Sequence, residues 1–332
     1  MEATLNLAIA NLTSPMILFF ALGLAAALAR SDLVVPEAIA KGLSLYLMMA
    51  IGFKGGASVA QHGVDATLLL SLLAGILLSA LIPVLAFNAL RLTTGLKTVD
   101  AAAIAAHYGS ISIVTFLAMT TAIEGLGIAY EGYMVAVAAA METPAIIVAL
   151  WLVFRGKGEK SAGAEQTGSQ FSPGLMREVL LNGSVVVLVG AFIIGMITGD
   201  DGLQSIAPFI VAPFKGVLCL FLLDMGLIAG RGLIGGARNL TAPIIAFGIY
   251  MPLIGGTLGL LAGAAIGLST GGIALMTTLA ASASYIAVPA AMRLALPEAQ
   301  PAIYLTLSLG VTFPFNLTVG IPLYVAFSQM IA

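Results

Sequence analysis

"AAHYGSISIVTF" fills residues 105–116, in the middle of one of the longest apolar runs of the chain. It places a histidine, a tyrosine, a glycine, two serines and a threonine among aliphatic residues. Such groups are costly in hydrocarbon unless protein or a water-filled cavity receives them. The surroundings are hydrocarbon-compatible throughout. Of 332 residues, 60% are hydrophobic and 8% charged, and the mean hydropathy is +1.11. A water-soluble domain carries about 25% charged residues. Apolar stretches of about 20 residues, enough to cross a bilayer, recur from end to end. They are continuous rather than alternating, which selects helices over a barrel. The fold class is therefore an all-α membrane protein.

Ten transmembrane helices are expected, near 15–30, 33–60, 67–93, 99–122, 131–154, 178–198, 204–233, 241–267, 272–295 and 301–330. Residues 155–177, rich in Gly, Ser, Lys and Glu, read as a flexible linker. The domains are then 1–154, 155–177 and 178–332. With the N-terminus outside, ten of the 13 Lys and Arg residues fall in inside loops, among them Arg91, Lys97, Arg155, Lys157, Lys160 and Arg177. The outer side holds Lys54 beside Asp65, Glu124, Glu131, Asp200 and Asp201. This asymmetry follows the positive-inside rule and makes the linker cytoplasmic, with both termini outside. The net charge of −2 and the lack of a basic patch point away from nucleic acid.

The halves match each other at a shift of about 174 residues. "IGFKGGASV" (51–59) lies over "MGLIAGRGL" (225–233), pairing Gly52 with Gly226 and Gly56 with Gly230. The opening stretch lies over "LAASASYIAVPAAM" (279–292), pairing Ser110 with Ser284, and after a four-residue slip "METP" (141–144) lies over "VTFP" (311–314). Five spans per half is an odd number, so the second half enters the membrane from the opposite side. The expected plan is two inverted five-helix repeats with a discontinuous helix in each.

Residues 107–115 have the composition of a break, and Ser282, Ser284, Tyr285 and Pro289 repeat it. Proline favours the interruption because it lacks an N–H and clashes with the preceding turn. Half-helix N-termini meeting at mid-membrane present positive partial charge and free N–H groups to a small anion. Carbonyls and hydroxyls at the opposite ends suit Na+. The candidate anion site is Gly109, Ser110, Ile111, Ser112, Ser282, Ala283, Ser284 and Tyr285. The candidate Na+ ligands are His107, Thr115, Glu142, Ser282 and Asn316. Glu37 and Lys41 read as an i,i+4 ion pair, and Asp224 as a partner of Lys215 or Arg231. No nucleophile–base pair, metal-ligand spacing or phosphate loop occurs, so neither an enzyme nor an ATP-driven pump is expected, and no cofactor beyond Na+ as coupling ion.

"SDLVVPEAIA" (31–40), "IGFKGGASVA" (51–60), "AYEGYMVAVAAAMETPAI" (129–146), "MGLIAGRGL" (225–233), "ASASYIAVPAAMRLALPEAQPAIY" (281–304) and "IPLYVAF" (321–327) resemble the sodium-dependent bicarbonate transporter family. The resemblance covers nearly the whole chain outside the linker. It implies ten helices in two inverted repeats, a homotrimer, a mobile core moving as an elevator, and bicarbonate carried with Na+ between the two broken helices. It implies the inner (plasma) membrane as location and a PII-like regulatory protein as a cytoplasmic partner. The family's first broken segment falls on Gly109, Ser110, Ser112 and Thr115, the second on Ser282, Ala283, Ser284, Tyr285 and Pro289. Where cyanobacterial members have a further serine, an Asp and a Pro-Pro pair, this chain has Ala283, Tyr285 and Val288-Pro289-Ala290. Glu142 stands for an Asp in the family's acid-x-Pro pattern. The expected function is import of a small anion, bicarbonate first, coupled to Na+. The alternatives are a bile-acid-symporter-like carrier of other anions and a membrane anion sensor that does not transport.

Overall fold

The structure, a computed structural model, describes residues 12–63, 65–158, 183–236 and 240–332. The expected linker therefore lies, from residue 159 onward, outside the described residues. Among the described residues the secondary structure is helical, without strands. The helices are α1 (Pro15–Leu28), α2 (Glu37–His62), α3 (Ala66–Thr93), α4 (Thr98–Gly109), α5 (Ile113–Gly125), α6 (Met134–Ala140), α7 (Glu142–Gly158), α8 (Gly183–Ile210), α9 (Phe214–Gly236), α10 (Ala242–Ile266), α11 (Thr270–Ala281), α12 (Ala287–Ala295) and α13 (Pro301–Ile331). Eight segments are long and apolar enough to cross a membrane, the broken pair α4–α5 counting as one. Pro15–Leu28 and Thr270–Ala281 are apolar but shorter, and with them the ten expected helices are accounted for.

Two sets of helices stand side by side. In the first, α1 packs along α9 and α2 along α8. The contacts are backbone-close because glycine lines them, as in small-residue membrane interfaces. A side chain at Gly56 would overlap the carbonyl of Phe192 on α8, and one at Gly226 the carbonyl of Phe20 on α1. The glycines that matched between the halves thus do the same job twice. Each pair presses the second helix of one half onto the first helix of the other.

The second set holds the broken helices. Helix α3 packs on α4 and α7, and α10 packs on α11 and on α3. Both α3 and α10 carry an internal proline, Pro83 and Pro252. A Cβ at Gly109 would overlap the Pro83 ring, and one at Gly255 would overlap the Ala280 carbonyl. Pro252 leaves the Gly248 carbonyl without its i+4 donor. The Thr312 hydroxyl, 2.8 Å away, donates to it instead. The central window of α4–α5 is entirely buried inside the protein. The polar stretch 105–116 is therefore screened from lipid by protein.

Four expectations need correction. The seventh span starts at Phe214, not 204, because the chain breaks at Gly199 (φ 58°, ψ −148°) and residues 200–210 fold back along α2. The Tyr46 hydroxyl there donates to Phe209 O at 2.5 Å. The apolar character of 203–210 made that return indistinguishable from a span. Lys54 lies within α2 rather than in a loop. Glu37 and Lys41 do not pair, whereas Lys54 pairs with Glu124 at 3.4 Å. Asp224 pairs with neither Lys215 nor Arg231; one of its carboxylate oxygens is buried without a partner, and Arg231 donates to Leu33 O at 2.7 Å.

Candidate functional site

The two broken helices run antiparallel and are joined at both ends and at the breaks. Asp100, in the first turn of α4, accepts from the Gln300 N–H beyond α12 at 2.9 Å. At the breaks, the His107 carbonyl accepts from Ser284 N–H at 2.7 Å, and Ser282 Oγ accepts from Ser112 N–H at 2.9 Å. Past α5, Glu131 accepts from the N–H and the hydroxyl of Ser269, the N-cap of α11, at 2.7 and 3.0 Å. As the first segment advances from 100 to 131, its partners retreat from 300 to 269. One carboxylate clasps each end, and direct hydrogen bonds join the middle.

The breaks follow from local chemistry. Helix α4 stops at Gly109, and Ser110 adopts extended backbone. Ser112 then caps α5: its Oγ accepts from Thr115 N–H at 3.2 Å and from the Thr115 hydroxyl at 2.9 Å. Such serine capping satisfies one of the free N–H groups that open a helix. In the second segment Ser282 takes extended backbone after α11, and its hydroxyl turns back to donate to Leu279 O at 2.9 Å. The first N–H groups of α5 and α12 have no partners within their own helices.

Between the breaks lies a cavity of about 10 Å³, lined by Met48, Ile111, Ser112, Ile113, Glu142 and Ser284 to Ile286. That is room for one water-sized guest. Glu142 reaches it from the start of α7, where Met141 separates α6 from α7. Oε2 of Glu142 is buried and has no hydrogen-bond partner. The Tyr285 ring packs edge-on against Phe313, centroids 5.3 Å apart. Its hydroxyl faces Ser112 without meeting hydrogen-bond geometry.

Of the residues expected to hold the anion, Ile111, Ser112, Ser284 and Tyr285 line the cavity. Ser282 bridges the two segments just behind it. Ala283 is buried, and Ser110 Oγ is buried without a partner. Gly109 packs on Pro83 and Ala145. Of the expected Na+ ligands, Glu142 lines the cavity, while Thr115 and Ser282 stand one hydrogen bond away from its wall. His107 turns from it: Nδ1 lies 2.6 Å from Ala103 O, the ring stacks on Tyr304 at 4.5 Å, and Nε2 is buried without a partner. Asn316 sits behind the second break, donating to Ala281 O at 3.0 Å and accepting from the Tyr324 hydroxyl at 2.8 Å.

Sequence reasoning missed Met48, Ile113 and Ile286 as lining residues, and the clasps of Asp100 and Glu131. An acidic residue in a helix's first turn and another in the facing loop were the only signal. It also missed the chain in which Tyr108 meets Thr312 Oγ1 at 2.5 Å and Thr312 donates to Gly248 O. Thr312 belongs to a π-helical stretch, Ser308–Thr312, and a second follows at Asn316–Gly320. Widened turns of this kind are frequent at functional sites. Among the described residues no three His, Cys, Asp or Glu side chains gather at one point. A cation here would rest on one carboxylate with hydroxyls and carbonyls, a donor set suited to a hard ion.

No curated protein sequence matches this chain. The family model of the Na+-dependent bicarbonate transporter superfamily matches residues 15–329, nearly its full length, and the chain belongs to that superfamily.

Proposed function

We propose that the protein imports bicarbonate together with Na+, and that the two antiparallel broken helices form the shared site. The carrying observation is the cavity lined by Ser112, Ser284 and Glu142, one of whose oxygens has no partner, at the helix starts of α5 and α12. Its size suits a single desolvated Na+, with Glu142 and the hydroxyls of Ser112 and Ser284 as oxygen donors. Bicarbonate, too large for this cavity as it stands, would bind beside the ion once the breaks part, against the first N–H groups of α5 and α12, which carry positive partial charge. Ser282 acts by positioning, because it fixes one break against the other.

The same reading takes the halves as inverted repeats. The reciprocal pairing of α1 with α9 and α2 with α8, and the antiparallel course of α4–α5 against α11–α12, support it. The α1, α2, α8, α9 set would stay fixed while the remaining helices carry the site across as an elevator. A homotrimer in the plasma membrane belongs to this reading by resemblance, and both termini outside by the distribution of Lys and Arg. Uptake of labelled bicarbonate by the purified chain in sealed vesicles, with and without a Na+ gradient, tests the function. Flux that is saturable, Na+-dependent and abolished by collapse of the gradient is expected. Equal flux in K+, or flux of larger organic anions alone, would overturn it.

A further inference from the structure

A second cavity, of about 180 Å³, lies further along the seam that holds the first. Met48 lines the inner cavity, and Ile51, Lys54 and Ser58, on the same face of α2 toward its C-terminal end, line this one. Thr120 and Glu124 of α5 and Tyr130 close it from the other set of helices. About one helical turn of α2 separates Met48 from Ile51, the nearest α2 residues of the two linings.

The polar groups of this outer cavity converge on one oxygen. Glu124 Oε1 accepts from the Tyr130 hydroxyl at 2.9 Å and pairs with Lys54 Nζ at 3.4 Å. The pair is longer than the roughly 2.8 Å of a strong charge-assisted bond. Lys54 Nζ also lies 5.8 Å from the centre of the Phe214 ring. The Glu124 side chain is 36% exposed, so it is free to swing away from the two donors. Burial, and then the neighbouring Glu124 charge, raise the Tyr130 phenol above its ordinary value, so it stays a donor.

A carboxylate and bicarbonate share the same planar O–C–O group. The donors that hold Glu124 are therefore already arranged for a small planar oxyanion. We infer that this cavity is a loading site for such an anion. Lys54 and Tyr130 hold the anion there, and Glu124 competes with it for the same donors until the anion moves inward. The inference rests on the transport reading above and adds to it an entry station at the far end of α5, about three turns from the breaks.

The test is the concentration dependence of labelled bicarbonate uptake by cells expressing the full chain, with surface expression measured. Lys54→Gln raises KM about threefold to tenfold, the worth of a lost bond to a charged, part-exposed group, with maximal rate retained. Lys54→Arg restores most of it. Glu124→Gln lowers KM by about twofold, because the competitor loses its charge. Opposite shifts support the site. Shifts in the same direction would mark the pair as a mechanical latch between the helix sets and overturn the inference, as would unmoved KM values. If Lys54→Gln fails to reach the membrane, Tyr130→Phe takes its place: it must raise KM where Glu124→Gln lowers it. A wild-type chain without anion uptake overturns the transport reading, and this one with it. Wild-type uptake with KM indifferent to all these variants overturns this one alone.

Discussion

Replacing Ser282 by alanine removes one oxygen atom that does two things. It accepts the Ser112 N–H at 2.9 Å and donates to the Leu279 carbonyl at 2.9 Å. Ser282 is 1% exposed, so no bulk water takes over either bond. A buried N–H left without an acceptor costs about 1–3 kcal/mol. The Leu279 carbonyl suffers less, because it keeps the N–H of residue 282 at 3.3 Å. The volume lost is one hydroxyl, so the cavity contribution is small. The joined arrangement of the breaks is therefore weakened by about 1–3 kcal/mol, a factor of roughly 5 to 150. Vesicle uptake over a range of bicarbonate concentrations reads this as a rise in KM of at least about fivefold. Ser282→Thr, which keeps the hydroxyl, recovers most of the affinity. Thr257→Ala, which loses only a bond to its own helix at Leu253 O, leaves uptake unchanged. Wild-type KM and maximal rate in Ser282→Ala would refute the reasoning, because the bridge between the breaks would then carry no energy in transport.

Glu142→Gln keeps the shape of the cavity wall and removes its charge; the Na+ concentration for half-maximal uptake rises about tenfold, measured by a Na+ titration at fixed bicarbonate. An unchanged Na+ response assigns Glu142 to packing. Asp100→Asn and Glu131→Gln each weaken charge-assisted bonds worth about 1.5–3 kcal/mol. Both lower the melting temperature in detergent while KM stays within about twofold, since neither carboxylate reaches the cavity. Asn316→Ala orphans the Ala281 carbonyl and the Tyr324 hydroxyl. It destabilises the protein by about 1–3 kcal/mol without altering the Na+ dependence. A changed Na+ response in that variant would return Asn316 to the ligand set.

The helix count was legible because hydrocarbon imposes long apolar runs, and the breaks were legible because serine, glycine and proline interrupt those runs at matching places in the two halves. The matched Gly52, Gly56, Gly226 and Gly230 also carried real information, since each sits where two backbones approach too closely for a side chain. What sequence could not give was direction. His107 and Asn316 are polar, intramembrane and near the breaks, yet one turns back to Ala103 and the other caps the end of α11. Periodicity places a residue near a break without fixing its rotamer. The return of residues 200–210 along α2 was hidden for a related reason: an apolar helix packed on a neighbour and one spanning lipid share a composition. Lys54 and Glu124 lie 70 positions apart, so only the packing of α2 on the α5 side brings them together.

The charges at the breaks also bear on why an anion carrier of this design would need a cation. The helix starts of α5 and α12 favour negative charge, but Glu142, whenever it is ionised, brings one to the same small cavity. At an effective dielectric of about 20, two like charges about 6 Å apart repel by about 3 kcal/mol. That cost is comparable to what two helix N-termini return. With the site otherwise empty, an ionised Glu142 would cancel most of the attraction for bicarbonate. A Na+ on Glu142 removes the repulsion and adds attraction of its own, so each ion raises the affinity for the other by the same factor. On this argument Glu142→Gln uncouples rather than inactivates: bicarbonate affinity in the absence of Na+ rises in the variant, while the gain on adding Na+ shrinks. A variant whose bicarbonate affinity without Na+ falls instead would show that the carboxylate serves the anion directly, and the electrostatic account of coupling would fail.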